Sequence, residues 1–238
     1  MVKYLLFFTT LVNLYGSNIN HTFYGGANLG LSVMNGKRND TSTKNVPPIE
    51  QKNLTENKGV YKKGAFGGIF TGYLLQFSNF VMGPEVFWNY LNISDNIEGE
   101  QTAGGATTAF DVSYRINNQY GINLRFGTFI QTYLLYALFG LHWQQYNLQI
   151  KSKQDLAGPG GLPKYNYNTG NKNIRGNSFG LGVQKQLSQN YDIGFEYKLT
   201  NLPKKSYEFK LGDPNDTKVN SSASFKLHSF SLRFIFKI

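Results

Sequence analysis

Cysteine is absent from the 238 residues, which removes a disulfide framework, thiolate chemistry, Cys-based metal sites and a lipoprotein anchor. Charge is scarce: Asp, Glu, Lys and Arg make up 16%, where soluble domains average about 25%. Beyond the N-terminus there is no apolar run of about 18 residues, so helical membrane spans are excluded. What is present is Gly (26), Phe (19) and Tyr (16), with aromatics at 16%. Many glycines and rings with few charges suit short strands whose rings face outward.

The start of the chain reads as an export signal, residues 1–17. Lys3 gives a small positive region, Tyr4 to Tyr15 an apolar stretch, and Gly16 and Ser17 small residues near a cleavage point. The far end alternates with period two. Phe230, Leu232, Phe234, Phe236 and Ile238 share one face, and Ser229, Ser231, Arg233 and Lys237 lie between them. Ile235 is the one apolar residue on the polar side. This strand resembles the closing strand of bacterial outer-membrane β-barrels, which ends on an aromatic residue read by the assembly machinery; here Ile238 takes that place.

The same alternation recurs along residues 18–238. Phe23 to Val33 puts Phe23, Ala27, Leu29, Leu31 and Val33 on one face and Tyr24, Gly26, Asn28, Gly30 and Ser32 on the other. Strands follow at Ala65 to Phe77, Phe80 to Tyr90, Ile122 to Ile130, Leu134 to Tyr146, Ser178 to Leu187 and Tyr191 to Leu199. Pro84 removes one ladder donor and implies a bulge or weak pairing. Short turns at Ser78-Asn79 and Ser188 to Asn190 alternate with long polar stretches at about 35–63, 91–118, 149–175 and 201–226. These stretches are expected as external loops. Both termini on the inner side require an even strand count. Phe110 to Ile116 is therefore assigned to the second loop, as a hairpin arm or strand extension, leaving eight strands. Ten would need Tyr165 to Tyr167 to nucleate another. The expected fold is all-β: an eight-stranded antiparallel up-and-down transmembrane β-barrel.

Residues NLRFGTFIQTYLLYALFGLHW resemble the "LR-x-G … LLYA-x-x-G" hairpin of the opacity-type porins, relatives of the OmpA transmembrane domain. FVMGPEVFW resembles that family's G-x-E third strand and DIGFEYKL its G-x-E-Y seventh. The resemblance specifies architecture more than function. It implies an internal ion-pair cluster that plugs the lumen. Strand phase puts Glu85, Arg125, Glu196 and Arg233 inward, paired as Glu85–Arg125 and Glu196–Arg233 or crossed.

The net charge is +10. Residues 35–63 carry seven bases and three acids, 149–175 five and one, and 201–226 five and three, whereas 92–105 carries three acids alone. Lys62, Lys63, Lys151, Lys153, Lys204 and Lys205 represent the basic segments. Such an excess attracts lipopolysaccharide phosphates or acidic host-surface molecules. Aromatic platforms and nucleic-acid motifs do not accompany it, which speaks against nucleic acid as a partner. His21, His142 and His228 lack ligand spacing, so neither a metal nor another cofactor is expected. His228 and Ser229 point to opposite faces of one strand, so they form no nucleophile–base pair. The expected role is a non-enzymatic, porin-like surface protein, structural or adhesin-type, in contact with outer-membrane lipid. A small-solute channel and a lipid-acting barrel enzyme are the alternatives.

Overall fold

The structure, a computed structural model, describes residues 19–43, 54–103, 106–154, 166–210 and 218–238; the expected signal segment lies outside them. Eight strands form in chain order: β1 Ile19–Thr43, β2 Leu54–Phe77, β3 Phe80–Ala103, β4 Ala106–Ile130, β5 Tyr133–Gln154, β6 Asn166–Gln186, β7 Tyr191–Lys210 and β8 Lys218–Lys237. Each pairs antiparallel with its neighbour in sequence, and β8 returns to β1, closing the barrel. Ile238 extends the closure by donating its backbone N–H to Phe23. Tyr165 to Tyr167 adds no ninth strand among the described residues, since β6 begins at Asn166.

Alternation decides which side chains meet which medium. Leu29 and Ile69 are each 62% exposed and Phe195 52%, whereas Arg125 and Arg233 are each 1% exposed. Phe230, Leu232, Phe234, Phe236 and Ile238 all project outward. Ile235, the exception in the sequence pattern, points inward and packs with Tyr24, Phe70, Leu74 and Phe87. Outward rings mark two levels. Phe80, Tyr133 and Tyr191 lie near the short turns; Tyr90, Tyr120 and Trp143 lie about ten residues up their strands, and the last two stack at 5.9 Å. At about 3.3 Å per residue and a tilt near 40°, that interval spans about 25 Å, the height of a bilayer's apolar band.

The short connections are tight. Ser78 and Gln131 start two-residue turns in the left-handed region, with φ of 55° and 56°. A β-carbon is strained there. Gln131→Gly is expected to stabilise the barrel by about 0.5 kcal/mol, after glycine's extra unfolded-state entropy is set against the relieved strain. A urea titration of the refolded protein would show no gain if the turn can relax around the glutamine.

Pro84 behaves as its chemistry requires. The β2–β3 register runs from Phe66↔Leu91 to Gly72↔Glu85, lapses, and resumes at Leu75↔Met82. Pro84 still sits opposite Leu124 on β4, so the missing donor loosens only the β2 side.

The four segments expected as external loops differ from that expectation: where described, they continue the strands. β1 and β2 pair up to Ser42↔Leu54, β3 and β4 to Ala103↔Ala106, β5 and β6 to Lys151↔Asn166, and β7 and β8 to Lys210↔Lys218. Above the bilayer neither face of a strand must be apolar, so the period-two signal fades although the ladder persists. Two neighbours part company there. β2 and β3 pair no higher than Phe66↔Leu91, and β6 and β7 no higher than Asn177↔Asn201. Register shifts between Tyr90 and Ile93 and between Leu202 and Lys205 mark the points where β3 and β7 turn away. The wall thus divides into two four-stranded leaves, β7-β8-β1-β2 and β3-β4-β5-β6.

Candidate functional site: the filled lumen

The four charged residues read from strand phase meet in one cluster. Glu85 on β3 is the hub: Arg233 Nη2 on β8 lies 2.5 Å from its Oε2, and Arg125 Nη1 on β4 lies 3.4 Å away. Glu196 on β7 pairs with Arg233. The pairing is therefore shared rather than two separate bridges. All four side chains are at most 4% exposed. Burying such charges is costly, and close pairing together with hydrogen bonds to the remaining oxygens and protons offsets that cost.

Neighbours that the phase reading did not single out add further bonds, while the Nε atoms of Arg125 and Arg233 keep no hydrogen-bond partner. Tyr24 donates its hydroxyl to Glu85 at 2.9 Å, and Tyr136 donates to Glu196 at 2.9 Å. Asn123 donates to Glu85 at 3.1 Å, and Arg125 donates to Gln184 at 3.2 Å. Rings cover the cations: Arg125 lies 3.8 Å from the Tyr136 centroid and Arg233 3.8 Å from that of Phe70. Two further buried charges share the inward phase of β7: Lys198, 4.1 Å above the Phe87 ring, and Asp192, 2.9 Å from Lys237 and hydrogen-bonded to Gln184. Asp192, Glu196 and Lys198 are two or four residues apart, so extending the phase along DIGFEYKL would have found them. Among the buried side chains of the described residues, three acids and three bases then balance.

Above the cluster, on the side away from the short turns, the interior becomes apolar. Met34, Phe66, Leu91, Ile93, Ile116, Tyr146, Ile174, Leu202 and Leu227 pack into a single buried layer. Every strand contributes to it. Below the cluster, Val81, Leu134, Tyr136 and Leu138 form a second apolar group. Most of its members fall at or beyond the ends of the strands that the alternation defines; Phe66 and Tyr146 fall within them, on the face opposite the outward one.

Of the histidines, His142 is fully buried; its Nε2 lies 2.6 Å from Ser178 Oγ and 3.3 Å from Asn123 Oδ1. This Ser–His contact sits beneath the apolar layer, with Thr200 Oγ1 3.5 Å from Nδ1 in place of an orienting carboxylate. His228 instead bonds the Tyr197 hydroxyl at 2.8 Å. Of the basic residues singled out, Lys62 and Lys63 fall in β2, Lys151 and Lys153 in β5, and Lys204 and Lys205 in β7; Lys63 and Lys204 are exposed.

A closed sheet, apolar outside over about 25 Å and polar and filled within, is a transmembrane β-barrel. A single chain with an even number of antiparallel strands is the architecture of bacterial outer-membrane proteins. No family model matches the chain, and no curated protein matches it in sequence. Among solved structures it is similar to Ail, the attachment invasion locus protein of Yersinia pestis, at 12% identity over 87% of this chain and 97% of that one, with a TM-score of 0.30. It is also similar to the outer membrane protein OprG from Pseudomonas aeruginosa (10% identity, 93% and 98% covered, TM-score 0.49). Neisserial surface protein A is a third (12%, 84% and 95%, TM-score 0.29). The class assignment rests on the outer band and the inner lining, which this chain displays by itself.

Proposed function

We infer that the protein is a surface protein of the bacterial outer membrane, and that its lumen is a scaffold rather than a route. The observation that carries this is the apolar layer to which all eight strands contribute, set above a charge-balanced cluster. A small-solute channel would need a wet path past both. A lipid-acting enzyme would need its nucleophile within reach of acyl chains or headgroups, whereas Ser178 and His142 lie under that layer. Function then resides in the strand extensions and their connections. Their basic excess suits lipopolysaccharide phosphates and anionic host-surface molecules, in a structural or adhesin-type role. The outward face of β8 is the segment offered to the assembly machinery.

Liposomes containing the refolded protein are expected to swell in small sugars at the background rate. Swelling at an open-porin rate would sink the scaffold reading. Binding to lipopolysaccharide should fall about tenfold when its phosphates are removed or salt is raised, as screening requires. Equal binding to the dephosphorylated form would sink the electrostatic part.

A further inference from the structure

The two seams above the bilayer differ in charge. At the first, β2 carries Glu56, Lys58, Lys62 and Lys63, and β3 carries Asp95, Glu98 and Glu100. Those edges are complementary. At the second, β6 carries Lys172 and Arg175 over residues 171–176 and no acid. Facing it, β7 carries Lys204, Lys205 and Lys210 with one acid, Glu208. Lys172, Arg175 and Lys204 are exposed. Like charges on facing strands oppose pairing. Pro203, exposed at the foot of this seam just above Asn177↔Asn201, has no N–H to offer a ladder. Gly176 still lies against Asn201 and Leu202 of β7, and residues 171–175 of β6 form an edge that has no ladder partner on its β7 side among the described residues.

We propose that this seam is a docking edge for an extended, acidic polypeptide segment. The segment adds to β6 as an antiparallel or parallel strand and sets carboxylates on its two faces against Lys172, which shares the phase of buried Ile174, and Arg175, which has the opposite phase, with Lys204 adding to the field. Two features together select this occupant. A strand edge offers alternating backbone donors and acceptors, which only another backbone matches along its length. The basic side chains repel a second copy of the same edge and attract an acidic one. Five residues of edge, about 17 Å long, suffice for a short strand. The proposal rests on the reading that these extensions stand outside the bilayer, but its test is run in micelles, where that reading is not at issue.

The probe is a fluorescent peptide of about nine residues mixing Glu with Val or Thr so that Glu falls on both faces of an extended strand, titrated against the full-length protein refolded in detergent. Anisotropy is expected to report saturable binding. N-methylating alternate peptide residues, which keeps the charge but removes donors on one edge, should weaken it about tenfold. The pair Lys172→Glu and Arg175→Glu should weaken it at least as much. The pair Pro203→Val and Lys204→Glu restores a donor and an opposite charge to β7; it should close the seam and abolish binding. A heat-dependent gel mobility shift in each variant verifies that the barrel is intact. Absence of binding to the wild-type protein overturns the proposal. So does indifference to N-methylation with full displacement by polyphosphate, which would define an electrostatic patch that takes any polyanion.

Discussion

Replacing Glu85 with alanine is expected to destabilise the barrel by about 4 kcal/mol, the range found when one partner of a buried ion pair is removed. Two guanidiniums would then share the single carboxylate of Glu196, and the hydroxyl of Tyr24 and the amide of Asn123 would lose their acceptor. Glu85→Gln should cost nearly as much, because it keeps the volume and loses the charge. Urea titration of the refolded protein in micelles gives the number. A double-mutant cycle refines it: coupling of Glu85 to Arg233, at 2.5 Å, should exceed coupling to Arg125, at 3.4 Å. A cost under about 1 kcal/mol would mean that water enters and solvates the exposed guanidiniums, and the filled-lumen description would fail.

The second large effect is expected at Gly182. A β-carbon there would sit 2.7 Å from Tyr136 Cε2, inside the ring's van der Waals surface. Tyr136 has little freedom to give way, since its hydroxyl bonds Glu196 and its face lies against Arg125. Gly182→Val should therefore cost about 3 kcal/mol, combining overpacking with loss of a buried donor to a carboxylate. Adding Tyr136→Leu, which removes the obstructing ring, should recover part of that loss. If the double variant is as unstable as the sum of the single ones, the ring is not what the glycine accommodates.

Much of the wall was legible because a bilayer enforces period two: every outward position within the band must be apolar, so Phe230 to Phe236 and Phe23 to Val33 declare their faces. The same phase brought out Glu85, Arg125, Glu196 and Arg233. Proximity across the lumen could not be read, since it depends on the stagger of all eight strands. Glu85 and Arg233 are 148 residues apart and belong to strands that are not neighbours. Tyr24 was placed inward, but its role could not be inferred without knowing that Glu85 faces it. Apart from Phe110 to Ile116, for which a strand extension is one of the expected forms, the extensions do not show in the sequence, for a complementary reason. Outside the band no medium sorts the faces, and backbone ladders leave no mark on composition.

Arg233 belongs to the last strand, and that has a bearing on how the molecule is made. Until β8 docks, Glu85 and Glu196 face inward without the guanidinium they share. An open seven-stranded sheet thus holds the acids Glu85, Glu196 and Asp192 against the two bases Arg125 and Lys198, and it must keep them wet. Closure delivers the neutralising charge and the apolar residues Leu227 and Ile235 in one movement. Drying of the interior is tied to sealing of the wall, so an unfinished barrel stays hydrated and reversible while a finished one locks.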